Sequence, residues 1–173
     1  DNNIHDVTED GGENSGLIRV DRADAGGAYN IFIRHNKLHG LYDWEYPGSI
    51  APVDAQHFAA VTTLSVEQVL GYSYGPGTGT IEIVGNEIYD VPQAFFFKKI
   101  MRGPIKIQDN VLHDASCLGI LCSSNVSFIH NIVYSVPVGW WYVGSDRDYK
   151  PEDYDLDEAI AGNNAVIEYN TFV

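Results

Sequence analysis

The stretch Ile81–Lys99 reads IEIVGNEIYDVPQAFFFKK. Isoleucines alternate at Ile81 and Ile83, the run breaks at Gly85-Asn86, and an apolar residue returns at Ile88. Alternation two by two is the period of a half-buried strand. The same frame recurs along the chain as Asn, any residue, an aliphatic, then His or Tyr. It reads Asn36-Lys37-Leu38-His39, Asn86-Glu87-Ile88-Tyr89, Asn110-Val111-Leu112-His113 and Asn131-Ile132-Val133-Tyr134. Asn2-Asn3-Ile4-His5 fits at the start, and Asn170-Thr171-Phe172 fits in part at the other end. Five and three residues before each internal Asn stand paired apolar residues: Ile31 and Ile33, Ile81 and Ile83, Ile105 and Ile107, Val126 and Phe128, Ala165 and Ile167.

Successive Asn positions differ by 34, 50, 24, 21 and 39 residues, so the shortest spacings give the unit and the longer ones contain inserts. Self-similarity at periods of about 20–50 residues points to a solenoid. Ile, Val, Phe, Tyr and Trp at the framed positions fit strands, and no helical period is sustained. The expected unit is a strand, a bend at Asn, a short second strand, a loop and a third strand. Third strands are expected at Phe95–Lys99, Leu118–Ser123 and Gly139–Val143, with Val61 and Ile18–Asp21 near the equivalent places. Asn suits the bend because it tolerates positive φ, and stacked Asn amides can form a hydrogen-bonded ladder.

These units resemble the right-handed parallel β-helix, the fold of many polysaccharide lyases, some glycoside hydrolases and phage tailspikes. Gly119–Val136, GILCSSNVSFIHNIVYSV, is especially similar to the generic repeat of that pectin-lyase-like superfamily. The resemblance implies an all-β solenoid of about five coils, one domain over residues 1–173; because nothing resembles a capping helix at either end, it is expected to be part of a longer solenoid or to meet other chains at its ends. Long inserts lie at about 41–79 and 145–164. A short helix is expected in the first insert, where Ser65-Val66-Glu67-Gln68 has capping-box spacing and Gly71 can stop it.

The composition bounds the function. At 173 residues and 45% hydrophobic, the chain is long and apolar enough for a real core. Its net charge of −14 repels nucleic acid and bare anionic membranes, and suits cations. No run is long and apolar enough for a membrane span, and the N-terminal stretch lacks the pattern of a signal peptide. Cys117 and Cys122, five residues apart, would sit roughly 16 Å apart on one extended strand, too far for a disulfide. They read as small buried hydrophobes.

Candidate chemistry follows from the resemblance and from local clusters. The fold implies an extracellular or cell-surface protein acting on an acidic polysaccharide. Lyases of this fold use a basic residue to abstract the proton next to a carboxylate that Ca²⁺ or basic groups neutralise. Lys98, Lys99 and Arg102 form the one tight basic cluster, against a plain reading as a solvated strand end; His57 is a further candidate base. One lyase family sets a Lys and an Arg on neighbouring coils, whereas one coil after Lys98 this chain has Cys122. The residues that pectin-cleaving hydrolases of this fold carry are not matched: Asn170-Thr171 is followed by Phe172, and neither Asp-Asp nor Gly-His-Gly occurs.

The column His5, His39, Tyr89, His113, Tyr134 would either bind sugar through its rings, ligate a metal, or stack on itself to stiffen the solenoid. Trp140, Trp141 and Tyr142 could add a sugar platform. Asp153, Asp155, Asp157 and Glu158 are oxygen donors of a kind that suits Ca²⁺, against a solvated acidic loop. Asn125-Val126-Ser127 is a glycosylation sequon. A second reading is a non-catalytic structural or adhesive β-helix, with homotypic stacking between chains through uncapped ends.

Overall fold

The structure is a computed structural model that describes residues 2–5, 7–9, 16–19, 30–43, 59–62, 80–97, 104–121, 125–143 and 165–173. The described residues form strands and no helix. In chain order they are β1 (Asn3–Ile4), β2 (Val7–Glu9), β3 (Gly16–Arg19), β4 (Ile31–Arg34), β5 (Lys37–His39), β6 (Leu41–Asp43), β7 (Ala59–Thr62) and β8 (Ile81–Val84). They continue as β9 (Glu87–Phe97), β10 (Ile105–Gln108), β11 (Val111–Leu121), β12 (Val126–Ile129), β13 (Ile132–Tyr134), β14 (Val138–Val143), β15 (Val166–Glu168) and β16 (Thr171–Phe172). The predicted helix at Ser65–Gln68 and most of both inserts lie outside the described residues.

Strands before each Asn make one sheet, in the order β15-β12-β10-β8-β4. Strands after each Asn make a second, in the order β1-β5-β9-β11-β13-β16, to which β14, β3 and β7 are attached. A two-stranded ribbon joins β2 to β6. Every described pairing is parallel, and those flanking the Asn keep the sequence frame: Ile81 opposes Ile105, which opposes Val126, and Ile88 opposes Leu112, which opposes Val133. Parallel pairing follows because each repeat runs in the same sense, and register follows because a one-residue slip would turn every isoleucine outward.

The alternating residues fill the space between the sheets. Ile81, Ile83, Ile88, Ile105, Ile107, Leu112 and Phe128 have no exposed surface. Each such side chain contributes about 2 kcal/mol of transfer free energy. Their neighbours on the same strands are at least partly exposed, as the alternating burial of β8, β10 and β12 shows.

Two details depart from the expected unit. The positive-φ residue is not the Asn but the one before it: His35, Gly85, Asp109, His130 and Tyr169 have φ between 55° and 66°. A second left-handed corner follows His39, Tyr89, His113 and Tyr134, at Gly40, Asp90, Asp114 and Ser135. The loop expected between the second and third strands is therefore absent in two repeats. β9 and β11 run through it as 11-residue strands, each turned by one left-handed Asp. β13 and β14 remain separate there, as do β5 and β6.

The Asn itself satisfies the backbone that the bend unpairs. Asn110 Oδ1 accepts from the Asn86 backbone N–H at 2.9 Å and from Asn86 Nδ2 at 3.0 Å. Asn110 Nδ2 in turn donates to Ile83 O at 2.9 Å and to Asn131 Oδ1 at 3.0 Å. The pattern runs unbroken from Asn2 through Asn36, Asn86, Asn110 and Asn131 to Asn170. Asn36, Asn86, Asn110 and Asn131 are buried, and burial without these partners would be costly.

Candidate functional site

Three residues after each ladder Asn from Asn2 to Asn131 the chain carries a ring, and parallel register lays these rings in a column. Centroids lie 4.9 Å apart for His5–His39, 4.5 Å for His39–Tyr89, 4.8 Å for Tyr89–His113 and 4.7 Å for His113–Tyr134. Planes are within 7° of parallel. The separations match the strand spacing of about 4.8 Å, so the backbone itself sets the stack. Interior rings cover each other's faces and present edges outward.

A line of charged groups crosses the column at its centre. Glu87, on β9, lies 2.7 Å from Lys37 Nζ on β5, and its other oxygen is 3.6 Å from His113 Nε2 on β11. His113 Nδ1 is 2.7 Å from Asp114 Oδ2, and its Nε2 is sealed from solvent. Lys37 holds the Glu87 carboxyl below its usual range by a hydrogen bond, against partial burial that opposes it. The same hydrogen bond to Glu87 raises Lys37. At the other end of the column, His39 Nε2 meets Asn3 Oδ1 at 2.9 Å. With both faces stacked and Nε2 buried, His113 ties three neighbouring strands together and offers no open nitrogen to a substrate proton.

Sequence reading marked His113 but not Lys37, Glu87 or Asp114. The signal was in the frame: Lys37 and Glu87 each directly follow a ladder Asn, and Asp114 directly follows the ring. Parallel register does the rest.

The outer face of the other sheet carries a different set. Phe32 is 56% exposed, and the Arg34 guanidinium lies 4.3 Å from its ring centroid while pairing with Glu82. Register places Phe32, Glu82, Lys106 and Ser127 in one row and Arg34, Val84, Gln108 and Ile129 in the next.

The remaining predicted residues fall as follows. Trp140, Trp141 and Tyr142 lie on β14, with Trp140 opposite Gly119 and Tyr142 opposite Ile120. Lys98, Lys99, Arg102 and His57, and the candidate Ca²⁺ donors Asp153, Asp155, Asp157 and Glu158, lie outside the described residues. Among the described residues no group of three or more His, Cys, Asp or Glu converges as a metal site. Cys117 is a free, buried thiol, and burial pushes its pKa up to about 11. No described helix is long and apolar enough to cross a membrane. Comparisons with protein-family models, with curated proteins and with solved structures return no match for this chain.

Proposed function

We propose that the chain winds as a right-handed parallel β-helix and belongs to an extracellular or cell-surface protein acting on an acidic polysaccharide, as a lyase. The observation that carries this reading is the repetition of outward side chains at equivalent positions on successive parallel strands. Such rows give an extended polymer the same kind of contact at each step along the stack. Lys98, Lys99 and Arg102 follow β9 in sequence and would supply the base and the groups that neutralise a uronate carboxylate, with Ca²⁺ at Asp153–Glu158 as the alternative neutraliser. Sugar contacts from His39, Tyr89, His113 and Tyr134 would use ring edges. Incubation with pectate, alginate and glycosaminoglycan substrates should yield chain ends bearing an unsaturated uronate. Absence of that product from every acidic polysaccharide, with and without Ca²⁺, defeats the lyase reading.

A non-catalytic structural or adhesive assembly is the second reading, and one observation favours it. The rings of His39, Tyr89, His113 and Tyr134 stack face to face on one another, which supports a stiffening role rather than a catalytic one. Sedimentation over a concentration series decides it: a monomer at every concentration removes this reading.

A further inference from the structure

We propose that Asn125 is an N-glycosylation site, whose Nδ2 accepts an oligosaccharide from a polyprenyl-pyrophosphate donor in a secretory compartment. The inference rests on the extracellular or cell-surface reading above. It starts from the sequon Asn125-Val126-Ser127, which occurs once in the chain. The repeat explains why the ladder carries none. Two residues after Asn36, Asn86, Asn110 and Asn131 stand the buried Leu38, Ile88, Leu112 and Val133. A buried ladder Asn is therefore never followed by the hydroxyl that the modification requires.

The sequon falls at a corner instead. Asn125 is exposed, has φ 56° and immediately precedes β12. Its backbone carbonyl accepts from the Ile105 N–H at 3.1 Å, a bond that a sugar on Nδ2 leaves in place. The fold accounts for two of the three sequon residues. Asn suits the left-handed corner, and Val126 is a core residue opposite Ile105. Ser127 has no such role. It lies on the outer face of β12, in the row where other strands carry Phe32, Glu82, Lys106 and Val166, so that position takes side chains of any size and polarity. A hydroxyl there completes the sequon and meets no demand of the repeat.

The corner also has room for the product. The residues at this place on the preceding coils are Pro104, Thr80 and Asn30, none of them buried, and they meet the next coil through their backbone: Pro104 O accepts from Ile81 N–H and Thr80 O from Ile31 N–H. A hydrated glycan at Asn125 leaves the core and the Asn ladder untouched. In the transfer, Nδ2 bonds to C1 of the first sugar as the bond from C1 to the pyrophosphate oxygen breaks. The electron pair of that bond leaves with the polyprenyl pyrophosphate, and one Nδ2 proton passes to a base of the transferase.

The test is peptide mass spectrometry of the whole chain from its natural source, medium and cells separately, before and after peptide N-glycosidase. Expected is a glycan on Asn125 whose removal leaves Asp there. Secretory expression of wild type, Ser127→Ala and Ser127→Thr in a eukaryotic host supplies the second measurement. The glycan should be lost in Ser127→Ala and kept in Ser127→Thr. Ser127 lies outside the core, so both variants fold, as matching thermal melts of the deglycosylated proteins would confirm. Natural chain found outside the cell with a bare Asn125 overturns the site while leaving the extracellular reading intact. Natural chain confined to the cell interior with a bare Asn125 removes both together. A glycan that survives Ser127→Ala sits on another residue and also overturns the site.

Discussion

Replacing Asn110 tests the ladder at its centre. Asn110 is 1% exposed and its side chain makes four hydrogen bonds. In Asn110→Ala the Asn86 backbone N–H loses its acceptor and Ile83 O loses the Asn110 donor. Asn86 Nδ2 keeps Ile33 O, and Asn131 Oδ1 keeps the Asn110 backbone N–H. The Asn86 N–H is thus left buried and unsatisfied, at about 1–3 kcal/mol, while Ile83 O keeps the Gln108 N–H of the parallel ladder and loses only its second donor, so the loss is about 3 kcal/mol. Asn110→Asp is the sharper probe. A carboxylate can still accept from Asn86, but its second oxygen then faces Ile83 O and Asn131 Oδ1, acceptor against acceptor. The neutral acid, which can donate once, is favoured in the fold. The folded-state pKa of this introduced Asp is then raised above its unfolded value of about 3.9. Its stability is fully present below that unfolded pKa and is lost as pH rises through the folded pKa. Urea unfolding of wild type and both variants at acid and neutral pH measures the effect, and hydrogen exchange at the Asn86 amide localises it. Wild-type-like stability in Asn110→Ala, or an Asp variant that strengthens as pH rises, would refute the account of the ladder.

Four further outcomes are expected. A Cβ on Gly119, whose φ is 120°, would lie 1.8 Å from Phe95 O, so Gly119→Ala should cost about 3 kcal/mol or more by forcing β9 and β11 apart. At Gly85, φ 66°, the added Cβ meets the movable His35 imidazole at 2.6 Å, so Gly85→Ala should cost only about 1 kcal/mol; thermal melts compare the two. Cys117, buried with its thiol raised to about 11, should resist a thiol reagent at neutral pH until denaturant is added, as followed by mass spectrometry. For the Lys37–Glu87 pair, the lowered carboxyl contributes stability that is present above its unfolded pKa and lost as pH falls through the folded one. The raised amine contributes stability that is lost only as pH rises through its own folded value. The pair should therefore act across neutral pH, and Glu87→Gln should lower the melting temperature slightly there, an effect that salt reduces.

Much of the fold was legible because its determinants are local and repeated. Ile81, Ile83 and Ile88 around Asn86 identify two strands and a bend without reference to any other residue, and recurrence identifies their partners. The ladder was legible for the same reason, since a bend that repeats must repeat its solution. The left-handed corners were less so. His35 and Tyr169 are not residues that announce positive φ, and they adopt it because the stacked strands on either side hold the bend. The continuity of β9 and β11 was hidden because Asp90 and Asp114 look like loop residues, yet a single left-handed residue turns a strand without ending it.

The candidate sites divide in the same way. Sequence alone determines that His5, His39, Tyr89, His113 and Tyr134 share a position in the repeat, because each stands three residues after its Asn. Tertiary structure decides what that position does. Parallel pairing at one strand spacing closes the rings face to face, brings Glu87 to His113 and sets Lys37 on Glu87, although Lys37 and Glu87 are 50 residues apart. Likewise the pattern of Ile81 to Val84 shows that Glu82 points away from the core. Only the pairing of β4, β8 and β10 shows that Phe32, Glu82 and Lys106 form one row. Which residues face outward is encoded by alternation along each strand; which of them become neighbours is set by hydrogen bonds between strands whose partners lie tens of residues away.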